Sequence, residues 1–321
     1  MPNLIILNRT AAKARRAWPI IRKQIDDAGI DYELYETTVA GDATTKTRVA
    51  LQSGTTNIAV VGGDGTLSET AEGFFQFNHN LDIAPQAINP NATLAIMPAG
   101  TGDDFARGLR GKRAPLGSWI DTYIEHCRKD KEPASLAVDV LYGCSDGFHT
   151  PFICLNASTM GIGGETASRV AAQGSFLRRF SGEFRFLLAA LGALAVWRER
   201  RVQVSIDGRL ARDGPMNLVA VANALYAGGG MMFSPEARID DGELDVVTAS
   251  GLTRAAVIRE LMRIHKGEHI NNPRVHIECG QIVRIETFML QDAMPIEVDG
   301  NVRGFTPVQF QVLRGALRFV V

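Results

Sequence analysis

The 321-residue sequence predicts an α/β protein: an N-terminal open α/β domain followed by a C-terminal β-sandwich domain with helical insertions. Three observations carry the prediction. In the first half, short apolar runs alternate with helix-forming stretches, the pattern of a parallel sheet with right-handed crossovers. Two of these runs empty directly into glycine-rich loops, as in a Rossmann-like nucleotide-binding domain. In the second half, short β-rich segments succeed one another with turn residues between them.

Leu4-Ile5-Ile6-Leu7, ended by Asn8, reads as the first strand. A helix follows over about Ala11 to Ala28. Trp18, Ile21 and Ile25 share one face at i, i+3, i+7 spacing, and Gly29 supplies the stop. Asp31 to Thr37 alternates like a strand, Gly41-Asp42 turns the chain, and Ala43 to Gln52 reads as a helix. Ile58-Ala59-Val60-Val61 is a buried strand running into Gly62-Gly63. A helix is expected over about Leu67 to Phe77, then a buried strand over Thr93 to Met97.

In the second half, strands are expected at Ala137–Tyr142, Phe152–Asn156, Val202–Ile206, Leu218–Ala222, Leu244–Thr248, Val275–Glu278, Ile282–Glu286 and Ile296–Val298. Helical insertions are expected at about Gly161 to Trp197 and Arg254 to Lys266. The charged, Pro-terminated stretch Lys129-Asp130-Lys131-Glu132-Pro133 marks the change of pattern. This gives domains of 1–133 and 134–321, with the last strand, Gln309 to Val321, belonging to the second domain or crossing back to the first.

Composition narrows the function classes. Apolar residues make up 45%, charged residues 21%, and the formal net charge is −1. A near-neutral chain lacks the clustered basic excess of a nucleic-acid binder. The four cysteines lie far apart and form no CxxC pair, as expected for thiols in a reducing compartment. The N-terminus reads as a strand and not as a signal peptide. The apolar run Leu187 to Trp197 is well short of the roughly 20 residues that span a bilayer. A cytoplasmic protein is expected.

The most informative segment is Val60-Val61-Gly62-Gly63-Asp64-Gly65-Thr66-Leu67-Ser68-Glu69: a strand, three glycines within four residues, then a helix. Such a turn admits a polyphosphate close to the backbone, and the helix start directs N–H groups at the anion. It is neither a Walker A loop nor a dinucleotide fingerprint. Asp64 in a phosphate loop makes sense with Mg²⁺ or ordered water between it and the anion, or as a helix cap. Leu94-Ala95-Ile96-Met97 leads in the same way into Pro98-Ala99-Gly100-Thr101-Gly102-Asp103-Asp104-Phe105-Ala106-Arg107.

The pair GGDGTLSE and PAGTGDDFAR resembles the diacylglycerol kinase catalytic-domain family, which includes bacterial lipid kinases and the sphingosine and ceramide kinases, and is related to NAD kinases. The resemblance continues through Ala227-Gly228-Gly229-Gly230, through Pro235-Glu236-Ala237-Arg238-Ile239-Asp240-Asp241-Gly242-Glu243-Leu244-Asp245, and through Ile296-Glu297-Val298-Asp299-Gly300, similar to the family's D-G-E motif.

The resemblance implies an ATP-dependent lipid kinase of phospholipid metabolism. ATP would lie on Gly62, Gly63, Asp64, Gly65, Thr66, Leu67, Ser68, Glu69, Gly100, Thr101 and Asp104, with a further contact at Thr37. Asp299 would be the base that takes the acceptor-hydroxyl proton. A structural Mg²⁺ would use the Asp241 side chain with the carbonyls of Arg238 and Glu243. Three positions depart from the family pattern: Ser68 and Asp103 stand where Asn is usual, and Asn301 replaces the Glu of D-G-E. They raise a changed metal arrangement, an unusual acceptor or reduced turnover.

On the acceptor side, Phe176-Leu177-Arg178-Arg179-Phe180 and Phe184-Arg185-Phe186-Leu187-Leu188 interleave apolar groups with arginines. This suits a helix at a lipid interface or a core helix with a basic edge. A lipid alcohol at the membrane surface is the expected partner, and a homodimer stays open. His265 and His269, at i, i+4 spacing on an expected helix, lack a third metal ligand and read as a solvent-facing pair. The alternatives are a kinase of a soluble acceptor such as NAD, and a catalytically weak nucleotide- and lipid-binding regulatory protein.

Overall fold

The computed structural model describes residues 3–78, 80, 83–111, 114–128, 135–146, 150–174 and 182–321. The chain forms two compact units, residues 1–140 with 313–321, and residues 141–312. The charged stretch at Lys129–Pro133 lies outside the described residues.

In the first unit the chain runs β1 (Asn3–Asn8), α1 (Ala12–Asp27), β2 (Tyr32–Thr37), α2 (Asp42–Gln52), β3 (Asn57–Gly62) and α3 (Asp64–Glu72). The short strands β4 (Phe75–Gln76) and β5 (Gln86–Ala87) pair with each other, and β6 (Thr93–Pro98), α4 (Asp104–Leu109) and α5 (Leu116–Cys127) follow. β1 pairs in parallel with β2 and β3, and β3 with β6. The predicted apolar face of α1 is the buried one. Ile21 and Ile25 are fully covered and Trp18 packs beside them, against Ile5, Ala59, Ala95 and Tyr123.

The third helix corrects the expectation of Leu67 to Phe77. It begins at Asp64 and ends at Glu72. Gly73 explains the stop: a Cβ there would lie 2.6 Å from Thr47 Cβ and 2.7 Å from the Thr44 carbonyl oxygen. The chain passes so close to α2 that it turns off into β4.

β7 (Ser135–Ser145) carries the chain into the second unit, which continues with β8 (Thr150–Cys154), β9 (Ala157–Gly161), α6 (Ile162–Ala171) and α7 (Gly182–Val196). Next come β10 (Arg200–Ile206), β11 (Arg209–Met216), β12 (Leu218–Ala222), β13 (Leu244–Ala249) and α8 (Arg254–Arg263). β14 (Val275–Gly280), β15 (Ile282–Glu286), β16 (Pro295–Val298), β17 (Asn301–Phe305) and β18 (Val308–Val320) complete the chain. β14, β13, β12, β9, β16 and β17 form one antiparallel sheet in that order. β11, β10, β15 and the first residues of β18 form a second. The end of β18 returns to the first unit, where Arg318 and Phe319 pair with Thr93 and Leu94 of β6.

Facing apolar residues of the second unit, among them Met160, Val204, Val219, Val246, Ile285 and Phe310, make a shared core. This is the sandwich the alternating segments predict. In this unit three strands escaped the sequence reading. β9 is rich in small residues, β11 is charged and glycine-containing, and β17 carries a glycine, so each lacks the β-branched run that marks a strand. The inserted helices break at Ala171, and Phe176 to Phe180 lie outside the described residues. The predicted helix through Lys266 ends at Arg263 and continues as single 3-10 turns, Ile264–Lys266 and Glu268–Asn271.

Candidate active site

In the first unit the C-terminal ends of four parallel strands meet at one edge, with Asn8 opposite Thr37 and Gly62 opposite Pro98 in register. Open α/β sheets bind ligands beyond such an edge. The two glycine loops leave it together. A Cβ on Gly100 would stand 2.5 Å from Gly63 Cα, and one on Gly63 would stand 2.9 Å from Gly100 Cα. Any side chain at either position would push the loops apart.

One carboxylate ties the two loops together, and a second shapes the second loop. Asp64 Oδ1 accepts from the Phe105 N–H at 3.1 Å, which ties the start of α3 to α4. Asp103 Oδ1 accepts from the Gly100 N–H at 2.8 Å, and Asp103 holds φ 51. Asp tolerates the left-handed region as Asn does, because a short polar side chain can bond locally. The departure at Asp103 therefore keeps the turn. Asp64 caps a helix, though the neighbouring one, and no side chain caps the N-terminus of α3 itself.

Other predicted residues join the same edge. Gly63 O accepts from the Thr66 and Leu67 N–H groups at 3.1 Å each, which opens α3. Thr66 and Ser68 are buried, Gly65 is half-buried, and Thr101 is exposed. Glu69 Oε2 accepts from the Gly41 N–H at 3.1 Å. Thr37 is buried at the end of β2, and its hydroxyl donates to the Leu7 carbonyl at 3.5 Å. Asp104, buried, lies 3.9 Å from Arg107. The sequence reading missed Asn8 and Lys13. Asn8 Nδ2 donates to Thr66 Oγ1 at 2.8 Å, and Lys13 Nζ donates to the Gly100 carbonyl at 3.0 Å, bringing a cation to the second loop.

In the second unit Asp299 sits at the β16–β17 turn with φ 44. Its Oδ2 accepts from the Leu155 N–H at 2.8 Å and its Oδ1 from the Asn156 N–H at 3.0 Å, with Cys154 Sγ 3.4 Å away. The Leu155–Asn156 corner is fixed in turn. Asn223 Nδ2 donates to the Leu155 carbonyl at 2.9 Å, and the Asn223 N–H donates to the Asn156 carbonyl at 2.8 Å. A plain hairpin aspartate bonds within its own turn, whereas this carboxylate is held by a different strand connection. Beside it, burial also pushes the Cys154 thiol well above its ordinary pKa.

Glu297 shares the turn, and sequence reasoning missed it. Its Oε1 accepts from the Gly300 N–H and its Oε2 from the Thr159 hydroxyl, each at 2.6 Å. Burial pushes its carboxyl up to about 7, and the nearby Asp299 charge adds to this against the two donors. Asn301 is exposed. Glu297 thus brings a buried-side carboxylate to the turn at which Asn301 stands in place of the D-G-E glutamate. Only the pairing of β16 with β9, Glu297 against Thr159, reveals this.

Asp241 Oδ1 accepts from the Glu243 N–H at 3.0 Å, curling the predicted metal segment, and Arg238 pairs with Asp240 at 3.3 Å. One carboxylate with backbone carbonyls is a hard-oxygen donor set that suits Mg²⁺. No cluster of three or more His, Cys, Asp or Glu side chains is gathered for a metal among the described residues. The histidine pair does other work. His265 Nδ1 lies 3.2 Å from the Gly230 carbonyl, and His269 is buried, not solvent-facing, with Nε2 3.0 Å from the Phe233 carbonyl.

His269 lines a cavity of about 830 Å³, the open space at its mouth included, between the β12–β13–β14 face and helices α6, α7 and α8. Its walls are mostly aliphatic, with Ile162, Leu218, Val247 and Leu261 among them. α6 contributes Ile162, Gly163 and Thr166 to the wall and follows β9 without a break in the chain. Thr159 of β9, the partner of Glu297, therefore adjoins this wall. A Cβ on Gly163 would stand 2.5 Å from Thr159 Oγ1.

Comparison with known proteins follows the same division. The domain described as "Diacylglycerol kinase catalytic domain" matches residues 2–136. The domain described as "YegS C-terminal NAD kinase beta sandwich-like domain" matches residues 159–321, half of the chain. The chain is 28% identical over 312 residues to a diacylglycerol kinase of Staphylococcus carnosus, covering 97% of this chain and 92% of that protein. It is 28% identical over 303 residues to a protein of Chromohalobacter salexigens named "Probable lipid kinase YegS-like", covering 92% and 86%. A crystal structure of a diacylglycerol kinase from Bacillus anthracis shares the fold with a TM-score of 0.68 at 21% identity, over 99% of this chain and 96% of that one.

Proposed function

The chain belongs to the diacylglycerol kinase catalytic-domain family, with a YegS-type C-terminal domain, and from that premise we propose that this kinase transfers the γ-phosphate of ATP to the hydroxyl of a lipid alcohol. The observation that carries the lipid reading is the aliphatic cavity of about 830 Å³ whose α6 wall adjoins the Asp299–Glu297 turn through Thr159. Walls that are mostly aliphatic, with few polar groups, suit an apolar ligand. An acceptor held by its chain there would present its polar end to the carboxylates.

Each half supplies one part of the chemistry. The paired glycine loops and the start of α3 offer backbone N–H groups to the phosphates, with Lys13 as a nearby cation. Asp299 accepts the proton of the attacking hydroxyl while the hydroxyl oxygen bonds to the γ-phosphorus and ADP leaves. The Leu155 and Asn156 N–H groups hold that carboxylate in one orientation. Mg²⁺ bound with ATP would neutralise phosphate charge, and a second Mg²⁺ would be held by Asp241 with the Arg238 and Glu243 carbonyls.

The outer face of α7 supports contact with a membrane surface. Phe184, Leu187, Leu188 and Leu191 are exposed at i, i+3, i+4, i+7 spacing, and Leu290 on a separate loop is 98% exposed. No helix among the described residues is long and apolar enough to cross a bilayer, so such contact would be peripheral.

The test is transfer from γ-labelled ATP with Mg²⁺ to a mixed-micelle panel of diacylglycerol, a sphingoid base and ceramide, beside NAD. Label in one organic-phase product, lost in Asp299→Asn, is the expected result. Label in an aqueous product alone would assign a soluble acceptor. Nucleotide binding with no label in any product would assign a regulatory role.

A further inference from the structure

Asp299 is anchored at its side chain and on its N-terminal side. Its carboxylate accepts from the Leu155 and Asn156 N–H groups, and its own N–H donates to the Ala157 carbonyl at 3.3 Å. The peptide that follows it is a separate matter. Asp299 at φ 44 and Gly300 at φ 89 form a two-residue hairpin connection, with Val298 opposite Asn301. The ladder bonds of such a hairpin run between the flanking residues, so they leave the N–H of the second turn residue unheld.

Glu297 holds it. Its Oε1 accepts from the Gly300 N–H at 2.6 Å. That bond is local, but Oε2 reaches another strand and accepts from the Thr159 hydroxyl of β9 at 2.6 Å. The Ser158 hydroxyl donates to the Glu297 carbonyl at 2.6 Å. Glu297 is therefore fixed at its backbone and at both side-chain oxygens, and it carries that fixity to the Gly300 peptide. Gly163 of α6 leaves room for the Thr159 hydroxyl, since a Cβ there would stand 2.5 Å from Thr159 Oγ1. The bridge also survives protonation. Burial pushes the Glu297 carboxyl up to about 7, and a neutral carboxyl can donate to the Thr159 oxygen while still accepting from Gly300.

We propose that Glu297 is a positioning residue for phosphoryl transfer: by bridging Thr159 and Gly300 it locks the Asp299–Gly300 peptide, and so sets the direction in which the Asp299 carboxylate meets the acceptor hydroxyl. This role rests on Asp299 being the base. Glu297 acts through Asp299 and exchanges no proton with the substrate.

The test measures transfer from γ-labelled ATP with Mg²⁺ to diacylglycerol, a sphingoid base, ceramide and NAD by the full chain and its variants. In Glu297→Ala, kcat should fall about ten- to a hundredfold, the loss that a small misplacement of a reacting group brings. KM for ATP, whose loops belong to the first unit, should stay within about twofold. Glu297→Gln, whose amide can accept from Gly300 and donate to Thr159, should recover kcat to within about threefold of wild type. Thr159→Val loses the hydroxyl at nearly constant shape; it should lower kcat in the same direction, and it serves if Glu297→Ala fails to fold. In ¹⁵N-glycine spectra of the chain without ligands, the Gly300 amide should move upfield further in Glu297→Ala than in Glu297→Gln.

Wild-type kcat in folded Glu297→Ala, a kcat in Glu297→Gln as low as in Glu297→Ala, or matching losses of kcat and ATP affinity would overturn the proposal. Asp299→Asn, run beside these variants, separates the two readings. Transfer lost in Asp299→Asn but intact in Glu297→Ala would remove the positioning role alone. Transfer intact in Asp299→Asn, or no label in any acceptor with the wild-type chain, would remove the base assignment and the positioning role with it.

Discussion

Asp64, the first residue of α3, accepts a hydrogen bond at 3.1 Å from the backbone N–H of Phe105 in α4. The two glycine loops therefore share a strut as well as the Gly63–Gly100 contact. Asp64→Ala should lower stability by about 1–2 kcal/mol, as loss of a helix cap does, and should weaken ATP binding because the second loop drifts. Asp64→Asn retains an acceptor oxygen and should restore most of both. Urea unfolding and nucleotide titration check this. Unchanged stability, with Asn as damaging to Mg·ATP binding as Ala, would give Asp64 to the metal instead.

Gly100→Ala places a Cβ 2.5 Å from Gly63 Cα and 2.6 Å from Asp103 Oδ1. Backbone cannot move aside as a flexible side chain can, so a cost of about 1–3 kcal/mol is expected, with ATP affinity down at least tenfold. Gly65→Ala, whose Cβ meets nothing within 4 Å, should change stability by less than about 0.5 kcal/mol. Comparing the two variants by thermal unfolding separates loop contact from general glycine effects.

Asp299→Asn should fold, since Asn also tolerates the left-handed backbone, and its side-chain oxygen can still accept from Leu155 or Asn156. Transfer should fall by about 10²–10⁴-fold, the usual loss of a general base, while ATP binding stays within about twofold. Equal loss of binding and transfer would make Asp299 structural only.

Glu297 gives a pH signature. Its folded-state pKa of about 7 exceeds its ordinary value of 4.5, so the folded chain holds a proton there that the unfolded chain has released. Its contribution is fully present below about pH 4.5 and is lost as pH rises through about 7. The swing is on the order of 3 kcal/mol, at about 1.4 kcal/mol per pKa unit. The stability difference between wild type and Glu297→Gln, followed by urea unfolding from pH 4 to 8, should change in that window. A flat difference would show that the Gly300 and Thr159 donors hold the carboxylate ionised.

The exposed stripe of α7 should govern membrane contact. Leu187→Glu with Leu191→Glu, at positions 54% and 49% exposed, should cut co-sedimentation with anionic vesicles at least severalfold and leave thermal stability unchanged. Unaltered partitioning would place the membrane contact elsewhere.

Much of the architecture was legible because it rests on local patterns. The face of α1, the strands running into Gly62 and Pro98, and most of the sandwich strands follow from apolar periodicity and glycine punctuation. The misses have local causes. β9, β11 and β17 carry small, charged or glycine residues where a strand signal needs branched or aromatic ones. α3 stopped early because Gly73 is pressed against α2, a contact between elements that no window of sequence contains.

The site divides along the same line. The sequence by itself determined that two glycine loops follow parallel strands and that an aspartate ends a strand near the C-terminus, since turns and strand ends are written in adjacent residues. Only the tertiary structure decided where the carboxylates point. Asp64 bonds Phe105, Asp299 bonds Leu155 and Asn156, Glu297 bonds Thr159, and His269 turns from the solvent into an aliphatic cavity. A polar side chain's partner is set by which strand or helix packs beside it, and for Asp299 and Leu155 that pairing joins residues 144 positions apart.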